Sequence, residues 1–131
     1  MKRKAKIIRS KGSRHIAVDM ENEQEIFAYI NQSPNHTKKF RHILDVILEG
    51  HKVPDIFDKE DINEQCKDVW AMKFFKGGTN DRIYCKEVRT ADSMYVIVTS
   101  ELLLKKKNNK NQQREKNLIL KVAGYEYTII K

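Results

Sequence analysis

The sequence predicts an α+β domain: an antiparallel sheet with an N-terminal helical hairpin packed on it. Two changes of period point there. Between residues 20 and 50 apolar side chains recur at helical spacing, and Ser33-Pro34-Asn35 splits that stretch in two. From residue 69 the period becomes two, in three runs separated by short turns, the pattern of an antiparallel meander. The 131 residues suit one domain with a core of its own. The expected organisation is a basic arm or short strand at residues 1–14, then a single domain at 15–131.

Within the arm, residues 5–9 read as a short strand, residues 10–13 as a turn, and residues 15–18 as a second short strand that can pair with the first as a hairpin. Asp19 is a fair N-cap for a helix over about 20–32, with Glu21, Glu23 and Glu25 suiting the positive end of its dipole. Phe40, Ile43, Leu44, Ile47 and Leu48 fall at i, i+3, i+4, i+7 and i+8, a strong amphipathic stripe that Gly50 ends. Residues 55–68 are acidic and read as a solvated loop or short helix; their spacing does not suit an EF-hand.

Residues 69–75, 82–88 and 94–100 are the three strands, the last apolar on both faces and therefore central. Residues 108–113 are polar and of low complexity. A helix over about 111–122, capped by Gly124, and a last alternating strand at 125–130 close the chain.

The net charge of +8 is unevenly placed. Residues 1–14 carry seven basic side chains and no acid, and residues 105–121 carry seven with Glu115 alone against them. Two basic blocks around an acidic middle suit a polyanion, of which nucleic acid is the commonest. A solvated tail and loop explain the same charge equally well. No run of about 18 apolar residues marks a membrane span. Cys66 and Cys85, the two cysteines, give neither a zinc spacing nor a disulfide framework. The expectation is a cytoplasmic, metal-free protein without cofactor. Its four histidines, at 15, 36, 42 and 51, form no catalytic spacing.

Residues 69–85, VWAMKFFKGGTNDRIYC, and 95–107, YVIVTSELLLKKK, resemble the RelE/HigB superfamily of toxin–antitoxin toxins. Members often carry a strand with Trp, a glycine-containing turn, a strand beginning Arg-Ile, an apolar strand and a Lys-Lys pair. Ala71 stands where many have Glu, Lys73 where Arg is frequent, and the Thr and Pro that often follow the lysines are absent. The resemblance implies a RelE-like fold and a small ribonuclease that cleaves messenger RNA, in many members on the ribosome, held in check by an antitoxin protein.

RNA can be cut through its own 2′-OH, given a base, a cation at the phosphate and an acid for the leaving oxygen. Arg82 matches the Arg-Ile position, and a guanidinium can grip a phosphate with two hydrogen bonds; pairing with Asp81 or Glu87 is the plain alternative. Lys73 lies on the neighbouring strand. Lys105 and Lys106 open a cationic run in which crowding lowers a lysine pKa toward acid–base use. Lys107 and Lys110 extend that run as RNA contacts. Tyr127 is a candidate near the phosphate, and Tyr84 and Tyr125 are candidates for stacking on bases; packing against the sheet accounts for Tyr125 and Tyr127 equally well. The rival reading is a non-catalytic RNA- or DNA-binding module.

Overall fold

The computed structural model describes residues 1–106 and 112–131. Among them the chain forms β1 (Lys2–Lys11), β2 (Arg14–Asp19), α1 (Glu23–Ile30), α2 (Pro34–Leu48), β3 (Phe57–Lys59), β4 (Val69–Phe74), β5 (Asp81–Arg89), β6 (Tyr95–Leu103), α3 (Gln113–Ala123) and β7 (Glu126–Ile130), with a 3-10 turn at Glu64–Cys66. The strands make one sheet in the order β3-β4-β5-β6-β2-β1-β7.

This corrects the expected fold. The sheet is mixed, not antiparallel: β2 runs parallel to β6, and β1 parallel to β7. The chain begins with a strand hairpin, and the helices follow it. In β1 the basic run hides an alternation: Arg3 and Ala5 are buried while Lys2 and Lys4 are exposed, so one face is solvated and the other packs. Each parallel junction needs a crossover. The α1–α2 hairpin and the meander carry β2 to β6, and α3 returns the chain so that β7 lies beside β1. The acidic stretch also contains an edge strand, β3, paired with β4 from Phe57↔Met72 to Lys59↔Trp70.

β6 occupies the centre, and its neighbours bury both its faces. On one face α1 and α2 cover Ile16, Val18, Met72, Phe74, Ile83 and Ile97 with Ile26, Phe40, Ile43 and Ile47. On the other, α3 lays Ile119 and Val122 over Val69, Ala71, Tyr84 and Leu103. Each such fully buried aliphatic side chain contributes about 1.5–3 kcal/mol. Cys66 and Cys85 are free and buried. Among the described residues no helix is long and apolar enough to cross a membrane.

The ends of α2 follow its residues. Ser33 caps it by accepting from the His36 N–H at 3.2 Å, with Pro34 in the first turn where no N–H is needed. At the other end Gly50, at φ +75°, donates its N–H to Ile47 O at 3.1 Å, and His51 N–H reaches Val46 O at 3.0 Å. Those two bonds form a Schellman motif and need the left-handed backbone that glycine adopts at least cost. α1 is shorter than its pattern suggested. Its N-cap position is Asn22 rather than Asp19; the Asp19 carboxylate, besides holding Arg3, accepts the Glu21 and Asn22 N–H groups just ahead of the helix.

Candidate anion-binding site

β4 and β5 run antiparallel in a register that sets Lys73 opposite Arg82 and Ala71 opposite Tyr84. Ala71 and Tyr84 lie under α3, and strand alternation places Lys73 and Arg82 on that same face. Leu103 lies opposite Arg82 on β6, and the chain leaves the sheet just beyond it at Lys105 and Lys106. Arg82, Lys73, Lys106 and Tyr84, all expected at a site, are thereby gathered at one end of the sheet.

The turn into β5 and the exit from β6 are tied together. The Lys106 N–H donates to Asn80 O at 3.1 Å, and Asn80 Nδ2 donates back to Lys106 O at 2.9 Å. Asp81 accepts the Lys105 N–H at 2.9 Å on one carboxylate oxygen, and Tyr29 OH (2.7 Å) and Thr79 Oγ1 (2.9 Å) on the other. Phe75, Asn80 and Lys105 hold φ values of 53°, 56° and 56°, in the left-handed region. Non-glycine residues there carry strain, and such strain gathers at functional sites when the surroundings enforce it.

Arg82 is 3% exposed and Tyr84 fully buried. Arg82 Nη1 donates to the Asp81 backbone carbonyl at 3.2 Å, while its Nε is buried without a hydrogen-bond partner. Neither Asp81 nor Glu87, the carboxylates expected to pair with it, forms an ion pair with its guanidinium, although the charges of Glu60 and Asp81 both act on it. Asp81 is engaged as above, and Glu87 accepts from Trp70 Nε1 at 2.9 Å and pairs with Arg89 at 3.3 Å. Tyr84 OH and Glu115 Oε2 are likewise buried without a hydrogen-bond partner. Buried polar atoms are nearly always satisfied, so three orphans on one face are informative.

Burial pulls the Lys73 ammonium below its ordinary pKa, and the Arg82 charge adds to the fall against the opposing pull of Asp58. Lys106 is lowered first by burial, with Arg82 and Lys73 contributing and Glu60 and Glu115 opposing. Burial lowers Arg82 too, and raises Tyr84. The arrangement is a desolvated cluster of three cations with a phenol and two carboxylates, Glu60 and Glu115, beside it, and its excess of positive charge suits an oxyanion.

The other expected residues are placed differently. Lys105 is exposed, with its N–H committed to Asp81. Lys107 and Lys110 lie outside the described residues. Tyr125 sits under the Arg3 guanidinium at 4.2 Å and bonds Glu101, the cross-strand neighbour of Tyr84. Tyr127 OH donates toward Asp19 at 2.6 Å and lies 2.9 Å from Ser100 Oγ. Both tyrosines thus fasten the N-terminal strands rather than line the Arg82 cluster.

Sequence reasoning missed Glu115, Asn80 and Glu60. Glu115 had a legible signal. It stands four residues before Ile119 and seven before Val122, on the buried stripe of α3. Glu60 is charge-coupled to Lys73, Arg82, Tyr84 and Lys106, a placement that depends on the unforeseen strand β3.

Compared with family models, curated proteins and solved structures, the chain matches none of them. None of these comparisons identifies the RelE/HigB family for it.

Proposed function

We propose that this protein is an endoribonuclease toxin of the RelE/HigB type that cuts messenger RNA through the substrate's own 2′-OH. The observation that carries the reading is the Arg82 guanidinium, buried with no hydrogen-bond partner on its Nε and charge-coupled to two lysines of lowered pKa. Arg82 holds the scissile phosphate and offsets the charge that builds on it, a role in which a fixed donor contributes about 3–4 kcal/mol to lowering the barrier. One of the two lysines, Lys73 or Lys106, takes the 2′-OH proton as the 2′-oxygen attacks phosphorus. The bond to the 5′-oxygen breaks, that oxygen receives a proton from the other, and a 2′,3′-cyclic phosphate remains. Tyr84 OH donates to a non-bridging oxygen. An antitoxin protein covering the cationic surface around Lys105 would silence the site.

One observation favours a second reading, a non-catalytic RNA- or DNA-binding module. Arg82 at 3% and Tyr84 at 0% exposure offer a phosphate little open surface. Expression of wild type and Arg82→Lys in bacteria, with 5′ ends of cellular messages mapped by primer extension, separates the two. Growth arrest with discrete new ends, both lost in a variant whose thermal melt is intact, supports the ribonuclease. Intact messages and normal growth from abundant wild-type protein leave the binding module.

A further inference from the structure

A cleft of about 440 Å³ opens on the opposite face of the sheet, between the loop after α2, the start of β2 and strands β3 to β6. Trp70 and Phe57 line it as a stacked pair, ring centroids 4.7 Å apart and planes 5° from parallel. Tyr95 lies across from them, with the guanidinium carbons of Arg14 and Arg89 at 4.8 Å and 4.9 Å from its ring centre. Lys59 Nζ stands 5.5 Å from the Trp70 ring, and Lys52 and His51 come from the loop.

The charge in this cleft is unbalanced. Of its two carboxylates, Glu87 is engaged by Trp70 and Arg89, and Asp58 faces away toward Lys73 at 3.9 Å. Arg14, Lys52 and Lys59 form no ion pair among the described residues. Asp58 also links the two faces, since it borders this cleft while its carboxylate meets a lysine of the Arg82 cluster. The three-residue edge strand β3 is therefore the rim between them.

We propose that this cleft is a subsite for single-stranded RNA, taking the bases that flank the phosphate held at Arg82 after the strand has rounded the β3 edge. The inference rests on the RNA reading of the Arg82 cluster. Unpaired bases are recognised by stacking on aromatic rings and on guanidinium planes, with cations tracking the backbone. Here both kinds of surface are interleaved. An acidic peptide would need the cations and have no use for the rings, and a duplex would hide the base faces that the rings engage.

Trp70 is the single tryptophan of the chain, so its fluorescence reports this cleft alone. The probe is a short single-stranded RNA with 2′-O-methyl riboses, which lacks the attacking hydroxyl. Wild type should show saturable quenching that weakens with salt. Joint replacement Lys52→Gln, Lys59→Gln and Arg89→Gln, all exposed positions, should weaken binding at least about tenfold and reduce the salt slope by about 2, at about 0.7 per phosphate contact. That triple variant should still cleave a minimal unmodified substrate. Arg82→Lys should keep the quenching and lose cleavage. Quenching without any cleavage by wild type sinks the ribonuclease and leaves the cleft standing. Cleavage without quenching, quenching unchanged in the triple variant, or equal quenching by polyglutamate overturns the cleft.

Discussion

Asn80 and Lys106 hold each other in both directions, the lysine N–H on the asparagine carbonyl at 3.1 Å and the asparagine amide on the lysine carbonyl at 2.9 Å. Both residues are buried, and Asn80 sits at φ 56°. This clamp fixes where the chain leaves β6, and so where the Lys106 ammonium lies relative to Arg82. Asn80→Gly removes the amide and keeps the left-handed backbone, whereas Asn80→Ala removes the amide and strains the backbone as well. Losing the bond leaves the Lys106 carbonyl unsatisfied at a cost of about 1–3 kcal/mol. A β-carbon in the left-handed region adds about 1–2 kcal/mol, which the lower unfolded-state entropy of alanine offsets in part. Urea melts should order the proteins wild type, then Gly, then Ala, with about 1 kcal/mol between the last two. Equal stability of the two variants would show that the clamp, not the backbone, carries the whole effect.

The N-terminal strands are locked by a carboxylate. Asp19, fully buried, accepts from Arg3 Nε at 2.6 Å and Nη2 at 3.1 Å, from Tyr127 OH at 2.6 Å, and from the N–H groups of Glu21 and Asn22. Burial alone would lower the Arg3 pKa, but the hydrogen bond and charge of Asp19 outweigh it and leave it raised. Arg3→Met strands the carboxylate and should cost about 3–5 kcal/mol. Tyr127→Phe should cost about 1.5–3 kcal/mol, as loss of a hydrogen bond to a charged group. Because both act on one carboxylate, the double variant should depart from the sum of the singles by about 0.5 kcal/mol or more. Strict additivity in a double-mutant cycle would mean the two contacts are independent.

That lock explains part of what the sequence could not show. The alternation in residues 2–5 is the ordinary mark of a one-sided strand, but seven basic residues in fourteen mask it. Knowing that β1 pairs with β7 requires a contact between residues 2 and 126, which no local pattern encodes. The meander was legible because turn residues and period-two runs are local, and the short turn implied that Lys73 approaches Arg82; their direct pairing is set by the register of the two strands. Lys106 was legible as charge alone. Its burial depends on Asn80, twenty-six residues earlier, whose left-handed backbone no composition reveals.

The cationic cluster should bind inorganic phosphate, and the protein should melt higher in its presence by mass action on the folded state. Lys106→Gln should shrink that increment. Glu115→Gln should enlarge it, because the buried carboxylate that opposes the cluster's positive charge is gone. The pH dependence has a definite sign. The folded pKa values of Lys73 and Lys106 lie below the ordinary 10.5, so between those lowered values and 10.5 the unfolded chain binds more protons. Their contribution to stability therefore rises with pH across that window, while the phosphate increment fades as the folded lysines lose their charge. Calorimetric scans at several pH values, with and without phosphate, read both trends. A phosphate increment indifferent to Lys106→Gln would place the bound anion elsewhere.

All five tyrosines of the chain have pKa values raised above the ordinary 10.0. Burial is the leading cause in each, and Tyr95 is pushed up to about 12. Hydrogen bonds to Asp81, Glu101 and Asp19 keep Tyr29, Tyr125 and Tyr127 protonated as well. A phenol with a raised folded pKa contributes its full stability below the unfolded value of 10.0. It loses that contribution as pH rises through the folded value, since only the unfolded chain then ionises. Above pH 10 this loss opposes the lysine gain and, with five groups acting together, overtakes it. Tyrosinate absorbance should stay low just above pH 10 and then appear in a single step that coincides with the loss of circular dichroism. Gradual ionisation near 10 in a protein that keeps its native spectrum would mean these hydroxyls are open to solvent, and the packing around Tyr84 and Tyr127 would have to be looser than described.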